Sequence, residues 1–91
     1  MSTYLITYDL KSPGQRYTDV LNYIKAFPGW ARLSESSYAV TSYVKTPAII
    51  RDELKAIMDA NDHVVVIALA LPWAGWASKD VNDWLSSNIA A

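Results

Sequence analysis

The chain has 91 residues, 52% hydrophobic and 19% charged, with no cysteine and a formal net charge of −1. That length supports one core rather than two, and the apolar richness argues against disorder. The lack of cysteine removes disulfides, thiolate metal sites and a cysteine nucleophile. Eight Lys and Arg against nine Asp and Glu leave none of the basic surplus with which dedicated nucleic-acid binders meet phosphates.

Thr3 to Asp9 is β-branched and aromatic and runs into the turn cluster Lys11-Ser12-Pro13-Gly14, so it predicts a first strand. Tyr17, Val20, Leu21, Ile24 and Phe27 then recur at helical spacing, with Asp19, Asn22 and Lys25 off that face, until Pro28-Gly29 stops the helix. Trp30 to Leu33 and Tyr38 to Val44 read as two strands of a hairpin about a serine-rich turn, with Tyr38, Val40 and Val44 on one face.

Thr46-Pro47 is a helix start, Thr at the N-cap and Pro in the first turn, where a missing N–H costs nothing. Ile50, Leu54, Ile57 and Met58 give this second helix its buried stripe, and Asn61-Asp62 ends it. His63 to Leu71 is a continuous apolar run whose β-branching favours a strand, one that expects cover on both faces. Pro72 to Ala77 is a tryptophan-bearing loop, and Ser78 caps a last helix with Val81, Trp84 and Leu85 on its stripe.

The order β α β β α β with a terminal helix predicts one α+β domain over residues 1–91. It would be a ferredoxin-like βαββαβ sandwich with both main helices on one sheet face. The other face then has only the terminal helix to cover it. Together with the apolar surplus, this predicts a twofold homodimer that buries the remainder, with Val64, Val66, Trp73, Trp76 and Trp84 as interface candidates. The apolar run Val64 to Ala77 is too short to span a bilayer and contains Pro72 and Gly75. Met1 to Asp9 lacks the basic start of a secretory leader. A cytoplasmic protein with no membrane partner is expected.

Few residues suggest chemistry. Asp9, at a strand end, is either a turn-capping carboxylate or, with its symmetry mate near a dimer axis, a hard-oxygen ligand for a divalent cation such as Mg²⁺. His63 is the only histidine and has no partner pattern of metal or triad type. Ser34, Ser36 and Ser37 suit turn chemistry better than nucleophilic attack, for which no base or oxyanion hole is signalled. Trp30, Trp73, Trp76 and Trp84 suit core or interface anchoring better than base stacking, because Lys79 is the only cation from Trp73 onward.

The strand TYLITYDL entering a helix, the hairpin ARLSESSYAV and the apolar strand after ANDH resemble a family of small proteins. This is the ferredoxin-like small subunit of the CRISPR adaptation complex, with the related SinR-like and virulence-associated protein D families. The similarity covers roughly residues 3 to 71. It implies a homodimer and, for some members, a metal-dependent nuclease acting on RNA or DNA. In those families the aspartate ending the first strand binds the metal, and Asp9 matches it. Lys11 or Arg16, and Ser34 or Ser36, match the nucleic-acid-contacting positions more loosely. The chain is less basic than adaptation subunits that hold DNA. The leading expectation is therefore a non-enzymatic homodimeric interaction or assembly module, possessing itself and another protein as partners, with a Mg²⁺-dependent endonuclease as the alternative.

Overall fold

β-Branched and aromatic residues form β1 (Ser2–Asp9) in the computed structural model, which describes residues 1–11 and 15–89. There follow α1 (Gln15–Lys25), β2 (Gly29–Ser34), β3 (Ser37–Ser42), α2 (Pro47–Ile57), β4 (His63–Ala68) and α3 (Lys79–Asn88). β1 pairs antiparallel with β3 on one side and β4 on the other, and β2 extends the sheet beyond β3. The strand order is β2-β3-β1-β4. The protein is thus a small α+β structure with one four-stranded antiparallel sheet and, among the described residues, three helices. None of these helices is long and apolar enough to cross a membrane.

Cross-strand partners share a face, so the register assigns every side chain to one side of the sheet. Ile6 is opposite Tyr38 on β3 and Val66 on β4. Tyr4, Ile6, Tyr8, Tyr38 and Val40 therefore face α1 and α2, where they enclose Val20, Ile24, Ile50 and Leu54, all four fully buried. Burial of each such aliphatic side chain contributes about 1.5–3 kcal/mol. α2 begins as its sequence predicts: Thr46 Oγ1 accepts the Ile49 N–H at 3.3 Å, with Pro47 in the first turn. The Tyr23 hydroxyl donates to Glu53 Oε1 at 2.6 Å and ties α1 to α2.

The opposite face carries a second, smaller core of Ala39, Leu85 and Ile89, with Leu69, Trp73, Val81 and Trp84 packed against it. Ser78 caps α3 by accepting the Val81 N–H at 3.3 Å. The Thr3 hydroxyl donates to the Asn88 carbonyl and ties the far end of the helix to β1.

Five expectations need correction. β3 stops at Ser42, and Val44 lies beyond it, 83% exposed. β4 stops at Ala68 rather than Leu71, although the Leu69 N–H still reaches the Thr3 carbonyl at 2.9 Å. The β3 ladder ends because β1 begins at Ser2 and offers no further partner, whereas β4 leaves its ladder at Tyr4, two residues short of the start of β1. β4 is an edge strand and only one of its faces is covered. Its register turns Val64 and Val66 toward the helix-side core and leaves Val65 and Ile67 on the other face, 52% and 48% exposed. Val64 and Val66 therefore do not carry the uncovered surface. The tryptophans separate as well: Trp73 and Trp84 pack on the chain's own sheet, whereas Trp76 is wholly exposed.

On the face that α3 covers, Gly29 leaves room for the side chain of Thr41 across the ladder. A Cβ there would lie 2.8 Å from Thr41 Oγ1 and 3.5 Å from the Trp84 ring. Gly29→Ala should lower stability by about 1–3 kcal/mol, the usual range for overpacking, as read by urea denaturation. An unchanged midpoint would mean that the Thr41 side chain turns aside without cost.

Candidate functional site

Asp9, the β2–β3 turn, the start of α1 and the entry to β4 meet at one end of the sheet. Asp9 is the last residue of β1 and stands opposite His63 across the ladder. Its Oδ2 accepts a hydrogen bond from Lys11 Nζ at 2.6 Å. That bond, together with the lysine charge, holds the Asp9 carboxyl below the usual carboxylate range. Both side chains are about half exposed or more, so water screens the pair and its stabilising effect is small.

Beneath this pair Asp62 braces two loops. Its Oδ1 accepts the Lys11 backbone N–H at 2.8 Å and its Oδ2 accepts the Asp59 N–H at 2.9 Å. These two amides hold the Asp62 carboxyl below its ordinary value. Arg16 donates to Asp59 Oδ1 from Nε at 3.1 Å and from Nη2 at 2.7 Å, so α1 is pinned to the loop after α2.

A cleft of about 450 Å³ opens beside Asp9, lined by Tyr8, Tyr17, Arg32, Glu35 and Ser36 among others. The Tyr8 hydroxyl donates to the Glu35 carbonyl at 3.2 Å, and burial pushes its pKa up to about 12. Tyr8 therefore keeps its proton at neutral pH and serves as a donor to the turn. Arg32 Nε donates to the Ser34 carbonyl at 3.3 Å. The hairpin serines serve the turn: Ser34 Oγ and Ser37 Oγ lie 2.6 Å apart, and Ser34 Oγ accepts the Ser36 N–H at 3.3 Å.

The fold thus brings Asp9, Lys11 and Ser36 to one cleft region, places Arg16 on Asp59 nearby, and uses Ser34 within the turn. The charge there is mixed. Lys11, Arg16 and Arg32 are offset by Asp9, Glu35, Asp59 and Asp62. Among the described residues no three His, Asp or Glu side chains gather as a metal cluster. A cation at Asp9 would draw its remaining ligands from water or another molecule, and the carboxylate suits Mg²⁺ or Ca²⁺ rather than a softer metal. The four tryptophans do not form one platform. Trp30 faces the helix side, 39% exposed, with its ring centroid 6.1 Å from that of Tyr38, whereas Trp84 covers Gly29 on the opposite face.

No protein-family model matches the chain, and a search of curated proteins finds no significant match.

Asp62 is the residue at this end that sequence reasoning missed. Its folded-state carboxyl is depressed, so its stabilising effect is fully present above the ordinary aspartate value of about 4 and is lost as pH falls through the folded value. Asp62→Asn should lower the melting temperature at neutral pH and reduce the further loss on acidification, as followed by thermal melts from about pH 7 down to about pH 2. A variant as acid-sensitive as the wild type would remove Asp62 as the brace.

Proposed function

We propose that the chain is a homodimeric interaction and assembly module, ferredoxin-like in arrangement, with α3 added to the second sheet face. The antiparallel order β2-β3-β1-β4, with α1 and α2 on one face, supports the ferredoxin-like assignment. It is also the level at which the resemblance to the small CRISPR adaptation subunit and the SinR-like proteins is kept. A cytoplasmic location belongs to the same reading, since the chain has no disulfide to form.

The observation that carries the proposal is the half of the second face that α3 leaves open. There Leu5 on β1 pairs with Ile67 on β4, and Val65 lies beside them. Val65 and Ile67 are each about half exposed. The segment joining β4 to α3 adds the exposed Leu71 and Trp76. A twofold contact sets the same patch of both copies together and closes the assembly, so the apolar surface is removed from water without forming fibres.

Light scattering should give a dimeric mass at micromolar concentration. Ile67→Glu should weaken the dimer by at least about tenfold, equivalent to about 1.4 kcal/mol, with an unchanged far-ultraviolet circular dichroism spectrum. Val66→Glu, directed at the helix-side core, should unfold the chain instead. A wild type that stays monomeric at high concentration would overturn the module.

One observation favours a second reading. Asp9 shares its sheet face with Val65 and Ile67, so pairing that face would draw the two Asp9 carboxylates toward a common interface. A Mg²⁺ ion held there could assist phosphodiester hydrolysis as a Lewis acid. Against this, Lys11 and Arg16 are already committed to Asp9 and Asp59. Wild-type protein should show no Mg²⁺-dependent cleavage of RNA or DNA. Cleavage that Asp9→Asn abolishes, with the dimer intact, would replace the module by the nuclease.

A further inference from the structure

The two edges of the sheet are built differently. β2 has an irregular register between Arg32 and Ser34 and presents Arg32, both features that discourage further strand pairing. β4 has neither. Its sequence HVVVIA contains no lysine, arginine, proline or glycine, and its ladder to β1 is regular. The bond from the Leu69 N–H to the Thr3 carbonyl sets the parity of that ladder. In an antiparallel pair the hydrogen-bonded residues alternate. His63, Val65 and Ile67 therefore bond toward β1, and the N–H and C=O groups of Val64, Val66 and Ala68 point outward from the edge.

A groove runs along this edge beneath α2. One section of about 600 Å³ is lined by Arg51, Lys55, Met58, Val64 and Val65 among others. A second, of about 410 Å³, continues past Pro47, Ala48 and Val66 and shares Arg51. Arg51 and Lys55 are one helical turn apart, an advance of about 6 Å. Alternate residues of an extended strand are separated by about 6.6 Å, so two carboxylates on one side of an added strand match the two cations. Arg51 meets only Asp52, at 3.0 Å in a largely exposed pair, and Lys55 has no ion-pair partner among the described residues. Asp59, Asp62 and His63 line the same groove at its entry end. Asp59 is held by Arg16 and Asp62 by two backbone amides.

We propose that the open edge of β4, with Arg51 and Lys55 above it, is a docking site for an extended segment of a partner protein in which acidic residues alternate with apolar ones. The segment pairs with the outward backbone groups of Val64 and Val66. Its acidic side chains point to α2, and its apolar side chains continue the row of Val65 and Ile67 on the other face. The site uses the edge of β4 and not its face, so it does not depend on the face-to-face dimer.

The test uses fluorescence polarisation with two short labelled peptides, one alternating Glu and Val, the other Lys and Val. The Glu–Val peptide should bind the wild type at least about tenfold more tightly than the Lys–Val peptide, a difference of about 1.4 kcal/mol. The double variant Arg51→Glu, Lys55→Glu, both at exposed helix positions, should reverse that preference. Val66→Pro removes one outward N–H without touching a bond to β1. It should weaken Glu–Val binding by about tenfold or more while the mass and the far-ultraviolet circular dichroism spectrum stay those of the wild type. Equal binding of the two peptides, no binding of either, or a preference that the double variant leaves in place would overturn the site. A folded Val66→Pro monomer, with the wild-type circular dichroism spectrum, from a dimeric wild type would assign the edge to a second copy of this chain and overturn it too.

Discussion

The structure depends on β1 being paired on both sides and used on both faces. Tyr4, Ile6 and Tyr8 hydrogen-bond along the β3 ladder and direct their side chains to the helix-side core, while Thr3, Leu5, Thr7 and Asp9 face the other way. A shift of one residue would exchange these sets and put Asp9 and two threonines among α1 and α2. Register, core and the location of the candidate site are therefore a single constraint. Asp9 lies at the rim of the second face because Ile6 is at the centre of the first.

The two faces are covered unequally, and the function proposed follows from the difference. Two helices fill one side. On the other, α3 covers β2 and β3, with Trp84 over Gly29 and the Thr3 hydroxyl fastening the end of the helix at Asn88. The β1–β4 half keeps half-exposed Val65 and Ile67. The polar end of the sheet is arranged for bracing. Asp62 joins the loops after β1 and α2, Arg16 holds Asp59, and Lys11 holds Asp9. Charges engaged with one another in this way are poor anchors for phosphate.

Much of this architecture was legible in the sequence where a local pattern carries it. Helical stripes such as Val20–Ile24 and Ile50–Leu54, and the caps at Thr46 and Ser78, depend on neighbours a few residues away, and each appears where the spacing puts it. Strand ends were not legible, because β3 stops where its partner β1 begins and β4 leaves the ladder two residues earlier, both set by pairing and not by local sequence. The run at His63 suggested a strand covered on both faces, yet an edge position is a property of topology and leaves no mark on the six residues themselves. In the candidate site, Asp9 could be found as a carboxylate closing a strand. The role of Asp62 could not, since its amide partner at Lys11 lies 51 residues away. The tryptophans look alike in the sequence and differ in the fold, Trp30 and Trp84 falling on opposite faces of one sheet.

The central claim is that a second copy of the chain covers the open half of the sheet. Isotope-filtered nuclear Overhauser spectra of a sample mixing labelled and unlabelled chains test it most directly. The account predicts intermolecular contacts from the methyl groups of Leu5, Val65 and Ile67, and none from those of Val20, Ile24 or Leu54. Contacts confined within one chain, with the Val65 and Ile67 methyls open to solvent, would contradict it.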